Sequence, residues 1–148
     1  MKFNSILLFH IRKLSKLSYY NAEKYLIKND FIKIGSGCES VVYSKRGFDY
    51  VIKLQFSPFG NSGSKSDIPH PKHFANQQVF EGDDYNLIIQ EKVNKLPKNV
   101  HSHNHPMQKK FSKFVAFLEN TFHVGDTHAG NIGYKNGKFV IFDWTTGY

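Results

Sequence analysis

Over residues 1–30, Leu7, Leu8, Ile11, Leu14, Leu17 and Leu26 recur at the intervals of a helical stripe, leaving Arg12, Lys13, Lys16 and Lys24 for other faces. The spacing predicts one or two amphipathic helices ending near Asn29 and Asp30. The period then shortens. Phe31-Ile32-Lys33-Ile34 runs into Gly35-Ser36-Gly37, and Val41-Val42-Tyr43 follows, which predicts strand, glycine turn, strand. Arg46 to Asp49 make the next turn, and Tyr50 to Gln55 a third strand. Residues 57–72 are rich in Gly, Ser and Pro without periodicity, so a loop is expected there. Gln77 to Phe80 and Tyr85 to Val93 predict a hairpin turning at Glu81 to Asp84, and residues 94–105 an irregular stretch. Met107 to Phe122 predict a helix with Phe111, Phe114, Val115 and Leu118 on one face and Pro106 near its start. Ile132 to Tyr134 and Lys138 to Phe142 flank Asn136-Gly137, the strongest short-range signal for a two-residue hairpin turn.

Composition places this pattern in a globular chain. Hydrophobic residues make up 40% and charged residues 22% of 148 positions, enough to bury a core. Twenty Lys and Arg against 12 Asp and Glu give a formal charge of +8, which favours anionic partners: nucleotides, nucleic acid, acidic proteins or a membrane surface. The single Cys38 excludes an intramolecular disulfide and a multi-cysteine zinc site, so a cytoplasmic location is expected. No stretch approaches the roughly 20 apolar residues of a membrane span. The apolar run from Phe3 to Ile11 holds His10, lacks a small-residue cleavage site and leads into Arg12-Lys13, so it reads as helix rather than signal peptide. No membrane partner is expected.

Three motifs carry chemistry. Gly35-Ser36-Gly37 lies between strands, where glycine lets main-chain N–H groups approach a phosphate with no Cβ in the way. By itself such a turn is ordinary punctuation. Lys53 sits in the apolar strand Val51-Ile52-Lys53, either facing solvent from an edge or aimed at phosphates. The third is His123-Val124-Gly125-Asp126-Thr127-His128-Ala129-Gly130-Asn131, followed by the hairpin and Phe142-Asp143-Trp144. Asp126 and Asn131 on one tight loop can aim a carboxylate and a carboxamide into one volume, the first taking a hydroxyl proton and the second holding a metal. Asp143 adds a hard oxygen suited to Mg²⁺.

In this order the motifs resemble the protein-kinase-like superfamily from Phe31 to Trp144. The Gly-Asp-x-His-x-x-Asn loop is similar to that of aminoglycoside and choline phosphotransferases and small atypical kinases, and abbreviated chains of this kind resemble kinase-like proteins of bacteriophages. The resemblance implies an α+β fold: an N-terminal helical region (1–30), an antiparallel N-lobe sheet with a hinge (31–93), and a severely truncated C-lobe (94–148). It implies an ATP- and Mg²⁺-dependent phosphotransferase acting on a hydroxyl of a protein or small molecule. Asp126 is then the base, Asn131 and Asp143 the magnesium ligands, and Lys53 the phosphate lysine. Gly35, Ser36 and Gly37 cover the phosphates beside Val42, and main-chain groups from Glu91 to Val93 hold adenine. The family's helix glutamate behind the lysine is missing, so Asp67 or Glu23 is expected to substitute. A partner protein or a second copy would complete the acceptor site.

Other features weigh less. His101, His103 and His105 alternate without an accompanying acid and read as a solvated loop; His128 is expected to orient its loop, and Trp144 to lie in a core. The alternative function is a pseudokinase-like binding module engaging a host protein or nucleic acid through its basic surface. Nucleic-acid binding by the N-terminal helix is not expected, because its lysines show no interleaved aromatics in sequence.

Overall fold

A computed structural model describes residues 2–37, 39–56 and 72–144. Cys38, Asp67 and most of the expected 57–72 loop lie outside the described residues. The chain starts with two helices, α1 (Ser5–Leu14) and α2 (Tyr19–Lys28). Asn4 accepts the Leu7 N–H at 2.8 Å and caps α1. Ser18 caps α2, and the Asp84 carboxylate accepts the Tyr19 N–H at 2.6 Å, a negative charge where the helix dipole favours one. Their apolar faces differ from the sequence stripe in two respects. Leu7, Ile11 and Leu14 are buried, but Leu8 is exposed and His10 is buried in its place. The stripe also breaks at residue 15, so Leu17 belongs to the connecting turn.

Five antiparallel strands follow: β1 (Ile32–Ser36), β2 (Ser40–Ser44), β3 (Tyr50–Gln55), β4 (Gln77–Phe80) and β5 (Asn86–Glu91), ordered β1-β2-β3-β5-β4. Side chains alternate across a sheet. Val41, Tyr43, Ile52, Leu54, Leu87 and Ile89 therefore form one face, packed with Leu7, Ile11, Leu14, Ala22 and Leu26 into a single core. Both helices thus lie on the same side of the sheet. The intervening positions, including Val42, Lys53 and Ile88, form the other face.

The remaining elements are β6 (Asn94–Lys95), α3 (Gln108–Phe122), a 3-10 turn (Ala129–Asn131), β7 (Ile132–Lys135) and β8 (Lys138–Ile141). β6 corrects the expectation that residues 94–105 are wholly irregular. It pairs with β7, and a Cβ at Gly133 would come within 2.6 Å of the Asn94 carbonyl, so glycine permits the approach. Asn136 and Gly137 have φ of 51° and 76°, as a two-residue hairpin turn demands. Phe74 bridges Ile141 in parallel, a pairing without a local sequence signal. Phe74, Phe111, Leu118, Ile132, Ile141 and Trp144 belong to a second core.

The described residues divide into two compact units. The first holds the residues up to Phe56 with Asn76–Lys92, and the second the short segment ending at Ala75 with Val93 onward.

Candidate functional site

Strand register places the first set of candidate residues. Gly35 pairs with Val42, Val42 with Lys53, and Lys53 with Ile88, so these residues form one row across β1, β2, β3 and β5. Neighbouring strands lie about 4.8 Å apart, which puts Gly35 and Lys53 roughly 10 Å apart on a shared face. Lys53 is only 7% exposed, so it is not a solvent-facing edge lysine. Ser36 pairs with Val41, whose side chain enters the helix-side core; Ser36 would thus serve a ligand on the Lys53 face through its main chain. The Gly37 N–H donates to the Ser40 carbonyl at 2.9 Å and closes the turn. Neither Gly35 nor Gly37 has positive φ, and a Cβ on Gly37 would meet nothing within 4 Å. The fold alone does not require glycine at either position.

Glu23 is not the lysine's partner. Its carboxylate accepts hydrogen bonds from the hydroxyls of Tyr43 (2.8 Å) and Tyr19 (3.1 Å) and lies 3.9 Å from Lys33. Tyr43 is opposite Ile52 on the helix side of the sheet, whereas Lys53, the next residue, points the other way. This overturns Glu23 as the substitute acid, for the period-2 reason. Asp67 lies outside the described residues.

Of the main-chain groups expected to hold a base, the Glu91 N–H donates to Asn76 and the Lys92 N–H to Asp49, both at 2.9 Å. Those two donors are therefore spent within the first unit. The Glu91 carboxylate also accepts the Asn76 N–H at 2.9 Å. Sequence reasoning missed three glutamines. Gln55, Gln77 and Gln90 are buried on or beside the Lys53 face, and Gln90 donates to Gln77 at 3.0 Å. Among the described residues the Gln77 Nε2 is buried without an acceptor, which costs about 1–3 kcal/mol. The available signal was a polar residue recurring among apolar strand positions.

The second set lies within the second unit. α3 ends at His123, which takes left-handed φ of 53° and donates its N–H to the Glu119 carbonyl. Asp126 is also left-handed, at φ 59°, a conformation that Asp and Asn tolerate better than other side chains. Thr127 donates to the Glu119 carboxylate at 2.6 Å, tying the loop to α3. The His128 Nδ1 accepts the Gly130 N–H at 3.0 Å, so the neutral ring carries its proton on Nε2. That Nε2 is 3.2 Å from the Asp126 Oδ1. The bond from the Gly130 N–H is the loop-orienting backbone contact expected of His128, and its Nε2 also holds one carboxylate oxygen of Asp126.

Asn131 joins the loop to Asp143. Its main-chain carbonyl accepts the N–H groups of Phe142 (2.9 Å) and Asp143 (3.4 Å). Its Nδ2 donates to the Asp126 carbonyl at 2.9 Å. The same Nδ2 is 3.1 Å from the His128 Nε2, which for this tautomer is an approach of two donors, so the bond to Asp126 sets the amide. Oδ1 is left accepting no hydrogen bond among the described residues. An open pocket of about 350 Å³ adjoins Asp126, lined also by Glu119, His123, Val124 and Gly125. No group of three or more His, Cys, Asp or Glu side chains is placed to hold a metal among the described residues. Asn131 and Asp143 offer an amide oxygen and a carboxylate, a donor set that fits Mg²⁺, which keeps several waters. Compared with protein-family models and with curated protein sequences, the chain matches neither.

Proposed function

We propose that the chain is an ATP- and Mg²⁺-dependent phosphotransferase of the protein-kinase-like type, acting on a hydroxyl of a protein or small molecule. The observation that carries this reading is the hydrogen-bonded linkage of Asp126, His128, Asn131 and Asp143. One short loop presents a carboxylate with one oxygen held, and an amide with its oxygen left over. Asp126 accepts the proton of the attacking hydroxyl on the carboxylate oxygen that His128 does not hold. The adjoining pocket gives an acceptor room to approach. Asn131 Oδ1 and the Asp143 carboxylate would hold Mg²⁺, which when bound neutralises charge on the transferring phosphate. The Lys53 ammonium, on the row with Gly35 and Val42, contributes positive charge toward the nucleotide phosphates. Glycine at 35 and 37, which the fold does not demand, keeps a Cβ out of the phosphates' way, while the Gly37 N–H is given to Ser40.

Transfer of labelled γ-phosphate, or ATP hydrolysis, tests the proposal. Asp126→Asn keeps a residue suited to left-handed φ while removing the base, and should lower the rate by about 10²- to 10⁴-fold. Asp143→Asn should abolish the Mg²⁺ dependence with the rate. Activity that survives both substitutions sinks the assignment. Calorimetry showing no nucleotide binding, with or without Mg²⁺, would instead favour the non-catalytic binding module.

A further inference from the structure

The two N-terminal helices turn a second, unburied face outward. Both pack on one side of the sheet through the same core, so the opposite faces of α1 and α2 make the outer surface of that helical layer. Five apolar side chains stand on it: Ile6 (60% exposed), Leu8 (37%), Phe9 (54%), Tyr20 (64%) and Ile27 (64%). The same two helices expose the cations Arg12, Lys13, Lys24 and Lys28. The Lys13 ammonium lies 5.6 Å from the Phe9 ring centroid and that of Lys24 4.3 Å from Tyr20, so charge and ring share the same spots. The one acid within either helix, Glu23, is turned toward the sheet and spent on Tyr43. Glu81, Asp83 and Asp84 lie against the turn between the helices, so Lys16 belongs with them and not with this face.

We propose that this outer face of α1 and α2 docks the protein on an anionic lipid surface, independently of the phosphotransferase reading. Positive charge without internal compensation seeks an anionic partner, and each Lys or Arg near an anionic membrane adds to the attraction. The apolar residues select among anionic partners. Aromatic rings beside lysines would suit a single-stranded nucleic acid as well as a lipid interface, but two exposed isoleucines gain nothing from bases or phosphates. They do gain from the boundary between headgroups and acyl chains, where amphipathic helices place such residues. Ile27 stands between Lys24 and Lys28 and Ile6 one turn from Phe9, so these side chains can sink into a fluid surface without the matching holes that a rigid protein partner must supply. The expectation of no membrane partner rested on the lack of a span, and no described helix is long and apolar enough to cross a membrane. Docking on the surface needs none.

Flotation of the full chain with phosphatidylcholine vesicles, with and without phosphatidylserine, tests this. Binding is expected only to the phosphatidylserine vesicles and should weaken as salt rises. Arg12→Glu combined with Lys24→Glu and Lys28→Glu should lower the partition by about 100-fold or more. Phe9→Ala with Ile27→Ala should leave low-salt binding largely intact but remove what persists at high salt. All these positions are exposed, so unchanged circular dichroism and melting confirm folded variants. Any of these vesicle results overturns the proposal: no binding to phosphatidylserine vesicles at low salt, partition unaffected by the charge reversals, or high-salt binding unaffected by Phe9→Ala with Ile27→Ala. Tighter binding of a single-stranded oligonucleotide, lost in Phe9→Ala with Tyr20→Ala, would overturn it in favour of nucleic acid. Vesicle binding with no phosphate transfer would leave the docking face standing and count only against the enzyme.

Discussion

His10 is buried where a helical stripe of leucines would place another apolar side chain, and its Nδ1 is 2.7 Å from the Tyr25 hydroxyl. Phe31 and Phe48 flank the ring. Burial, and then the positive charge of Lys45, hold its pKa below the ordinary 6.5. The unfolded chain therefore takes up a proton near pH 6.5 that the folded chain refuses until lower pH. Stability is thus retained above about pH 6.5 and falls as pH drops below it toward the folded pKa. Denaturant midpoints measured from pH 7 down to about pH 5 should show this decline, and His10→Gln should flatten it. Equal slopes in the two proteins would show that other groups govern acid sensitivity. Gly130 makes a second residue-scale test. A Cβ there would come within 2.8 Å of the His128 Cε1 and 2.9 Å of its Nδ1, pushing the ring off Asp126. With the proposed chemistry, Gly130→Ala should lower transfer by about 10²-fold while the melting temperature holds. A full rate would dismiss His128 as a positioning residue.

At the scale of elements, Glu23 joins α2 to the sheet. Tyr43 is fully buried, and its hydroxyl donates to that carboxylate. Burial, reinforced by the bond to Glu23 and its charge, pushes the Tyr43 pKa up, and the same causes raise Tyr19 to about 12. Both phenols therefore stay protonated and donate throughout the working range. Glu23→Ala leaves the Tyr43 hydroxyl buried without its acceptor and should cost about 1–3 kcal/mol in denaturant unfolding. A Glu23→Ala/Tyr43→Phe double-mutant cycle should show the two positions coupled. Additive losses would mean that the carboxylate acts through Tyr19 and Lys33 and not through Tyr43. The elements differ in how far the sequence revealed them. β3, the Asn136-Gly137 hairpin and α3 were legible because each satisfies its own rule: an apolar run of strand length, residues suited to positive φ, and a helical apolar face. β6 and the Phe74–Ile141 bridge were not, since a two-residue strand has no period and a bridge depends on a partner far along the chain.

At the scale of the molecule, the motif residues distribute over two units with separate cores. Gly35, Val42 and Lys53 stand on the first unit; Asp126, Asn131 and Asp143 stand on the second. Local sequence determined the longer strands, the helices and the loop that holds Asp126, His128 and Asn131, because period, turn chemistry and short-range hydrogen bonds act over a few residues; Gly35 and Ser36, expected in a turn, instead end β1. It also determined the excess of positive charge. Tertiary structure decided the rest. Which face of the sheet Lys53 occupies depends on which face the helices cover, and that choice removed Glu23 as its partner. Whether Phe9 and Tyr20 are core or surface depends on which stripe of each helix finds the sheet. A sequence names every apolar residue, but only packing decides which of them remain in contact with water.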